Sequence, residues 1–120
     1  MNVELLLKVK NQILCEPSQF TMMFFEFYGI RCILGWAVHL ADLSNEYAYL
    51  FQIKHMITEA SYVLDISVEQ CYLLGYIERW PEEFRNAYKN VDGETEVMQR
   101  THARIAGERI DHFIKTEGRE

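Results

Sequence analysis

Phe20–Leu43 reads FTMMFFEFYGIRCILGWAVHLADL, and the reading of this stretch decides the fold. Its second half, from about Ile30 to Leu43, mixes Gly35 and Ala37 with Ile33, Leu34, Trp36 and Val38. That texture predicts a central helix with protein on nearly every side, its small residues admitting close neighbours. Glu26, Arg31, His39 and Asp42 divide the stretch into apolar pieces shorter than the roughly 20 residues a membrane span requires. Its first half, Phe20 to Tyr28, is an aromatic and Met-rich connector with room for a short helical turn, closed by Gly29. The cluster Met22, Met23, Phe24, Phe25 and Phe27 suits either the domain's own core or an adhesive surface, because Met and aromatic side chains adapt to partners.

Helix signals dominate outside this stretch. Val3 to Leu14 places Val3, Leu6, Leu7, Lys10, Ile13 and Leu14 on one expected face, with Asn2 as a cap and Pro17 ending the helix. Ser44 and Asn45 read as a stop followed by an N-cap. The expected helix runs to Leu64 on the period of Tyr47, Leu50, Phe51, Ile57, Ala60 and Leu64, and Asp65 closes it. Ser67-Val68-Glu69-Gln70 has the spacing of a capping box and predicts a helix to Ile77. Pro81 suits the first position of the next helix, with Glu82 and Glu83 complementing its dipole and Phe84, Ala87 and Tyr88 facing inward. Asp92-Gly93 is a turn. The expected sixth segment, Glu94 to about Thr116, turns Met98, Ile105, Ala106, Ile110, Phe113 and Ile114 inward, and Gly118 ends it. No strand pattern competes. The expectation is an all-α fold, a single-domain irregular helical bundle of about five to six helices spanning residues 1–120.

The 120 residues carry a formal net charge of −6, which disfavours broad attraction to phosphate backbones or anionic lipid. Neither nucleic acid nor membrane is the expected partner. Cys15, Cys32 and Cys71 are three in number and widely spaced, as suits free thiols in a reducing cytoplasm. The opening residues lack the basic-then-apolar layout of a signal peptide, so a cytoplasmic location is expected.

Chemistry-bearing residues are scattered. Cys32 and His39 share a helical face with Trp36, but seven residues advance about 10.5 Å along a helix, whereas a base must approach its thiol to roughly 3 Å. No direct dyad is expected. Cys15, Cys32, Cys71, His39, His55, His102 and His112 show no zinc-like spacing, so no metal or other cofactor is expected. Glu96, Arg100, Arg104, Glu108 and His112 form an i, i+4 series, the pattern of a solvated charge ladder. Arg100 and Arg104 could alternatively clamp an anion. The segment 59–76 has a helix-turn-helix outline, yet its second helix offers Glu69, Gln70 and Glu78 where a DNA reader needs cations.

Three pieces of the chain coincide with a pattern: Pro17 and Phe20 with Met22; Cys32-Ile33-Leu34-Gly35-Trp36-Ala37; and Trp80-Pro81 followed by Arg109-Ile110 and Phe113-Ile114. Together they resemble a family of small uncharacterised bacterial and phage-associated proteins with P..F.M, C(I/V)AGWA-type, LF....WP and RI..FI segments. Leu34 stands where that family usually has Ala, Tyr28-Gly29-Ile30-Arg31 replaces a Gly-Thr-Val approach, and Leu73-Leu74-Gly75-Tyr76 is a loose version of the LF segment. The resemblance implies a bacterial helical domain and no activity.

The leading expectation is a protein-interaction module without catalytic activity, binding another protein or itself through Met22, Met23, Phe24 and Phe25. The alternatives are an enzyme or small-ligand binder with an interhelical pocket, for which Cys32, His39, Arg104 and Arg109 are the candidates, and a helix-turn-helix regulator.

Overall fold

The computed structural model describes residues 1–41, 53–93 and 95–120. Six α-helices lie among them: α1 Val3–Cys15, α2 Ile33–Ala41, α3 Ile53–Leu64, α4 Val68–Gly75, α5 Glu82–Lys89 and α6 Thr95–Lys115. The fold is an all-α bundle, as expected, joined by one small hairpin. None of the helices is long and apolar enough to cross a membrane. Asp42, Leu43, Ser44, Asn45, Tyr47, Leu50, Phe51, Glu94 and the side chain of His55, with the expectations resting on them, lie outside the described residues.

Local chemistry sets most helix ends. The Asn2 side chain accepts from the Leu5 amide at 3.0 Å and caps α1. Ser67 and Gln70 complete the capping box of α4, with bonds of 3.1 and 2.9 Å. Two helices end in the same way. Asp65 after α3 and Glu117 after α6 take positive φ (53° and 55°). The Ile66 and Gly118 amides then reach back to the carbonyls of Ser61 and Phe113, closing Schellman turns that satisfy orphan carbonyls.

The buried core runs through all six helices. α1 packs on α6 and α2, and α2 on α3. Ile33, Leu34, Trp36, Ala37 and Val38 are all buried, so α2 is the central helix its composition predicted. Several details differ from expectation. In α1 the buried stripe is Leu5, Leu6, Val9 and Ile13, while Val3, Leu7 and Leu14 stay substantially exposed. The helix packs chiefly on α6 and α2 and also touches α3, and its inward face is set by these neighbours. Lys10 lies at the edge of that face, paired with Asp111 at 2.7 Å. Pro81 is the N-cap of α5 rather than its first residue, and Ala87 is exposed because Phe84 and Tyr88 alone point to the core.

The largest difference precedes α2. Residues 30 and 31 are not helical: β1 Glu26–Phe27 pairs antiparallel with β2 Ile30–Arg31, through a two-residue turn at Tyr28 and Gly29. Both turn residues have positive φ (50° and 83°), the signature of a type I′ turn. α2 therefore starts at Ile33.

Candidate functional site

The hairpin is held to the helical body from three directions. Phe20 is buried and bridges to Arg31 across a parallel contact, with the Thr21 amide donating to the Arg31 carbonyl at 3.2 Å. Trp36 donates its indole N–H to the Gln19 carbonyl at 3.1 Å. Arg31 is buried with its guanidinium 5.0 Å from the Trp36 ring centre, and it donates to the Gly29 carbonyl at 3.3 Å. Beneath the hairpin, Gly35 leaves room for backbone. A Cβ there would run into the Phe25 carbonyl oxygen and stand 3.1 Å from Arg31 Cβ. The small residue predicted to admit a close neighbour admits the hairpin main chain.

The two faces of this segment differ. Met22 and Phe25 pack against the core. Met23, Phe24, Phe27 and Tyr28 stand outward, 80, 47, 50 and 89% exposed. Phe24 and Phe27 stack at 5.1 Å, and Phe27 meets Tyr28 edge-on at 4.5 Å, so these three rings form one contiguous aromatic surface. Of the four residues predicted as an interaction surface, Met23 and Phe24 are exposed and Met22 and Phe25 face inward. Phe27, the fifth member of that cluster, is exposed as well, and Tyr28 was missed. The Tyr-Gly pair is an uncommon spelling of a type I′ turn, and two-residue strands are too short to show alternation.

The four polar candidates lie apart. Cys32 is the residue before α2, where its Sγ accepts from the Gly35 amide at 3.5 Å, a capping role. Burial pushes its thiol up to about 11, which leaves a thiolate fraction at neutral pH of about one in ten thousand. His39 sits in the last turn of the same helix, edge-on to Trp36 at 5.5 Å. Desolvation, with Arg31 adding to it, lowers its pKa. Arg104 is on the wet side of α6, paired with Glu108 at 3.0 Å as in the predicted ladder. Arg109, five residues on, faces the opposite way and is fully buried. Its guanidinium lies 5.6 Å from the Phe113 ring and 6.0 Å from those of Trp80 and Phe84.

His112 leaves the ladder. It lies against Phe84, and its Nδ1 engages the carboxylate of Glu120, which also engages Arg109. Glu120 was missed because the turn at 117–118 that brings it back onto α6 is a tertiary consequence of two successive positive-φ residues. Another histidine, His102, stacks on Tyr88 at 3.8 Å and is held by its carbonyl at 3.0 Å. Its pKa is lowered by desolvation, against which the hydrogen bond acts. A groove of about 360 Å³ is lined by Met1, Val3, Asp65, Ile66, Gln70, Ile114 and Glu117, and contains none of the predicted residues. Among the described residues, no three His, Cys, Asp or Glu side chains gather as metal ligands would.

Comparison with known proteins gave no match to any family model, curated protein or solved structure.

Proposed function

We propose that this chain is a protein-interaction module that docks through its hairpin, inserting Met23, Phe24, Phe27 and Tyr28 into an apolar cleft of a different protein. The observation that carries this reading is the contiguous aromatic surface of Phe24, Phe27 and Tyr28, with Met23 exposed in the same segment, on a backbone fixed from three sides. A preorganised aromatic cluster loses little freedom on binding and has the composition of an interface centre.

Size argues for a foreign partner over a second copy. The four side chains offer roughly 500 Å², less than the ~800 Å² that each side of a standard interface buries. A net charge of −6 on each copy also opposes close self-approach. An exposed patch of this size is completed by a concave partner that supplies the surrounding contacts.

Photo-crosslinking tests the reading. A benzophenone side chain at Tyr28 is expected to label one protein species in extracts of the native host. The same group at Tyr62, equally exposed but on α3, is expected not to label it, and Phe24→Asp is expected to abolish the Tyr28 product. Identical products from both positions would refute the docking role. A product consisting of the chain crosslinked to itself would replace the foreign partner with self-association.

A further inference from the structure

Arg109 is fully buried, yet its hydrogen bonding is incomplete. Nη2 donates to the Leu73 carbonyl at 2.9 Å and engages one carboxylate oxygen of Glu120. Nε and Nη1 are buried with no hydrogen-bond partner among the described residues. The second oxygen of Glu120 engages His112 Nδ1. One carboxylate thus bridges a guanidinium and an imidazole, and the rings of Trp80, Phe84 and Phe113 lie 5.6–6.0 Å from that guanidinium.

The guanidinium and its aromatic neighbours sit on helices and a pinned indole, whereas Glu120 comes from the segment that follows α6. Arg109, His112 and Phe113 belong to α6, and the Trp80 indole is pinned to the Leu74 carbonyl at 2.9 Å. Glu120 arrives on a short fold-back whose direction depends on Gly118. That residue has φ +71°, and a Cβ on it would stand 2.6 Å from Gln70 Nε2. The His112 side of this cluster is the more open to solvent: that side chain is 31% exposed, against 7% for the Glu120 side chain.

The match between Arg109 and Glu120 is partial. A guanidinium presents a planar fork suited to two parallel bonds with one carboxylate, and here a single nitrogen of the fork is used. Buried ion pairs are moreover weak stabilisers beside apolar packing of the same volume, so fold stability alone is a poor reason for this arrangement. Aromatic walls around a guanidinium suit a ligand whose carboxylate is attached to an apolar body.

We infer that Arg109 and His112 form a binding site for small carboxylates carrying an apolar group, and that Glu120 is the site's resident occupant in cis. A ligand binds by displacing the Glu120 side chain, and the 116–120 segment moves with it.

Benzoate titrated into wild type, Glu120→Ala and Glu120→Ala/Arg109→Met, followed by calorimetry and thermal unfolding, tests this. Chloride and inorganic phosphate at matched ionic strength are the controls. Glu120→Ala is expected to bind benzoate saturably, at least ten-fold more tightly than wild type, and to recover most of its lost unfolding midpoint. The double variant is expected to do neither. If Glu120→Ala does not fold unaided, benzoate but neither control ion is expected to restore its far-ultraviolet helical signal. Absence of both saturable binding and rescue would overturn the inference, as would equal binding by the double variant. Phosphate acting as well as benzoate would overturn the carboxylate assignment.

Discussion

Gly35→Ala and Gly107→Ala make the same chemical change in two helices and are expected to have opposite effects. In a helix interior Gly to Ala gains about 0.5–1 kcal/mol from backbone entropy alone. At Gly107 nothing opposes it: the added Cβ would find Lys10 Cγ at 3.5 Å and Leu14 Cδ2 at 3.7 Å, ordinary contact distances. At Gly35 the Cβ meets the carbonyl oxygen and, at 3.2 Å, the carbonyl carbon of Phe25. Backbone cannot rotate aside as a side chain does, so the hairpin must lift from α2. Overpacking of this kind costs about 1–3 kcal/mol, and lifting also strains the Trp36–Gln19 bond and the Arg31–Trp36 contact. The two variants should therefore differ by about 1–3 kcal/mol. Urea denaturation measures the difference, and amide exchange at residues 20–31 shows whether the loss lies in the hairpin. Gly35→Ala stabilising the protein as much as Gly107→Ala would refute the claim that the hairpin backbone rests on α2.

Three other outcomes follow from local geometry. Ser67→Ala removes one half of the α4 capping box and should cost about 1 kcal/mol in denaturation midpoint analysis. Glu120→Ala leaves Arg109 buried without its carboxylate and should cost about 3 kcal/mol, while the further change Arg109→Met should recover much of it. A denaturant double-mutant cycle measures that coupling. Burial pushes the Cys32 and Cys71 thiols from 9.0 to about 11 and the Tyr88 hydroxyl from 10.0 to about 12. Their protonated forms persist longer in the folded state, so stability is full below about pH 9. It falls as the unfolded chain ionises first, by on the order of 2 kcal/mol per thiol by the time pH has passed through the folded values. Unfolding free energies at pH 7, 9 and 10.5 test the sign, and Cys15, which is exposed, should be the first thiol alkylated.

What the sequence discloses is its short-range chemistry. The capping box at Ser67–Gln70, the closure at Asp65, the cap at Asn2 and the role of Gly35 each depend on residues within a turn or on one small side chain. They are legible for that reason. The α1 face was misjudged because apolar residues at 3, 5, 6, 7, 9, 13 and 14 cover most of that helix, and only its two neighbours decide which are covered. The hairpin was hidden by its brevity: residues 26–31 supply just two residues per strand, and Ile30 and Arg31 read equally well as the start of α2. Arg109 and His112 were visible as residue types, but separating them from the exposed Arg104 takes the angular position on α6 and the returning Glu120. Of Met22, Met23, Phe24 and Phe25, half face inward, since a connector has no period from which to assign faces.

The docking account rests on Met23, Phe24, Phe27 and Tyr28 being dispensable for the fold and required for the partner. One variant measures both: Met23→Ser, Phe24→Ser, Phe27→Thr and Tyr28→Asn together, with Asn chosen because it accepts the positive φ of that turn position. The account predicts a thermal midpoint within a few degrees of wild type and, with the tagged variant as bait, complete loss of the partner that crosslinking at Tyr28 identifies for the wild-type chain. A cooperative loss of stability in this variant, or partner capture at the wild-type level, would contradict it.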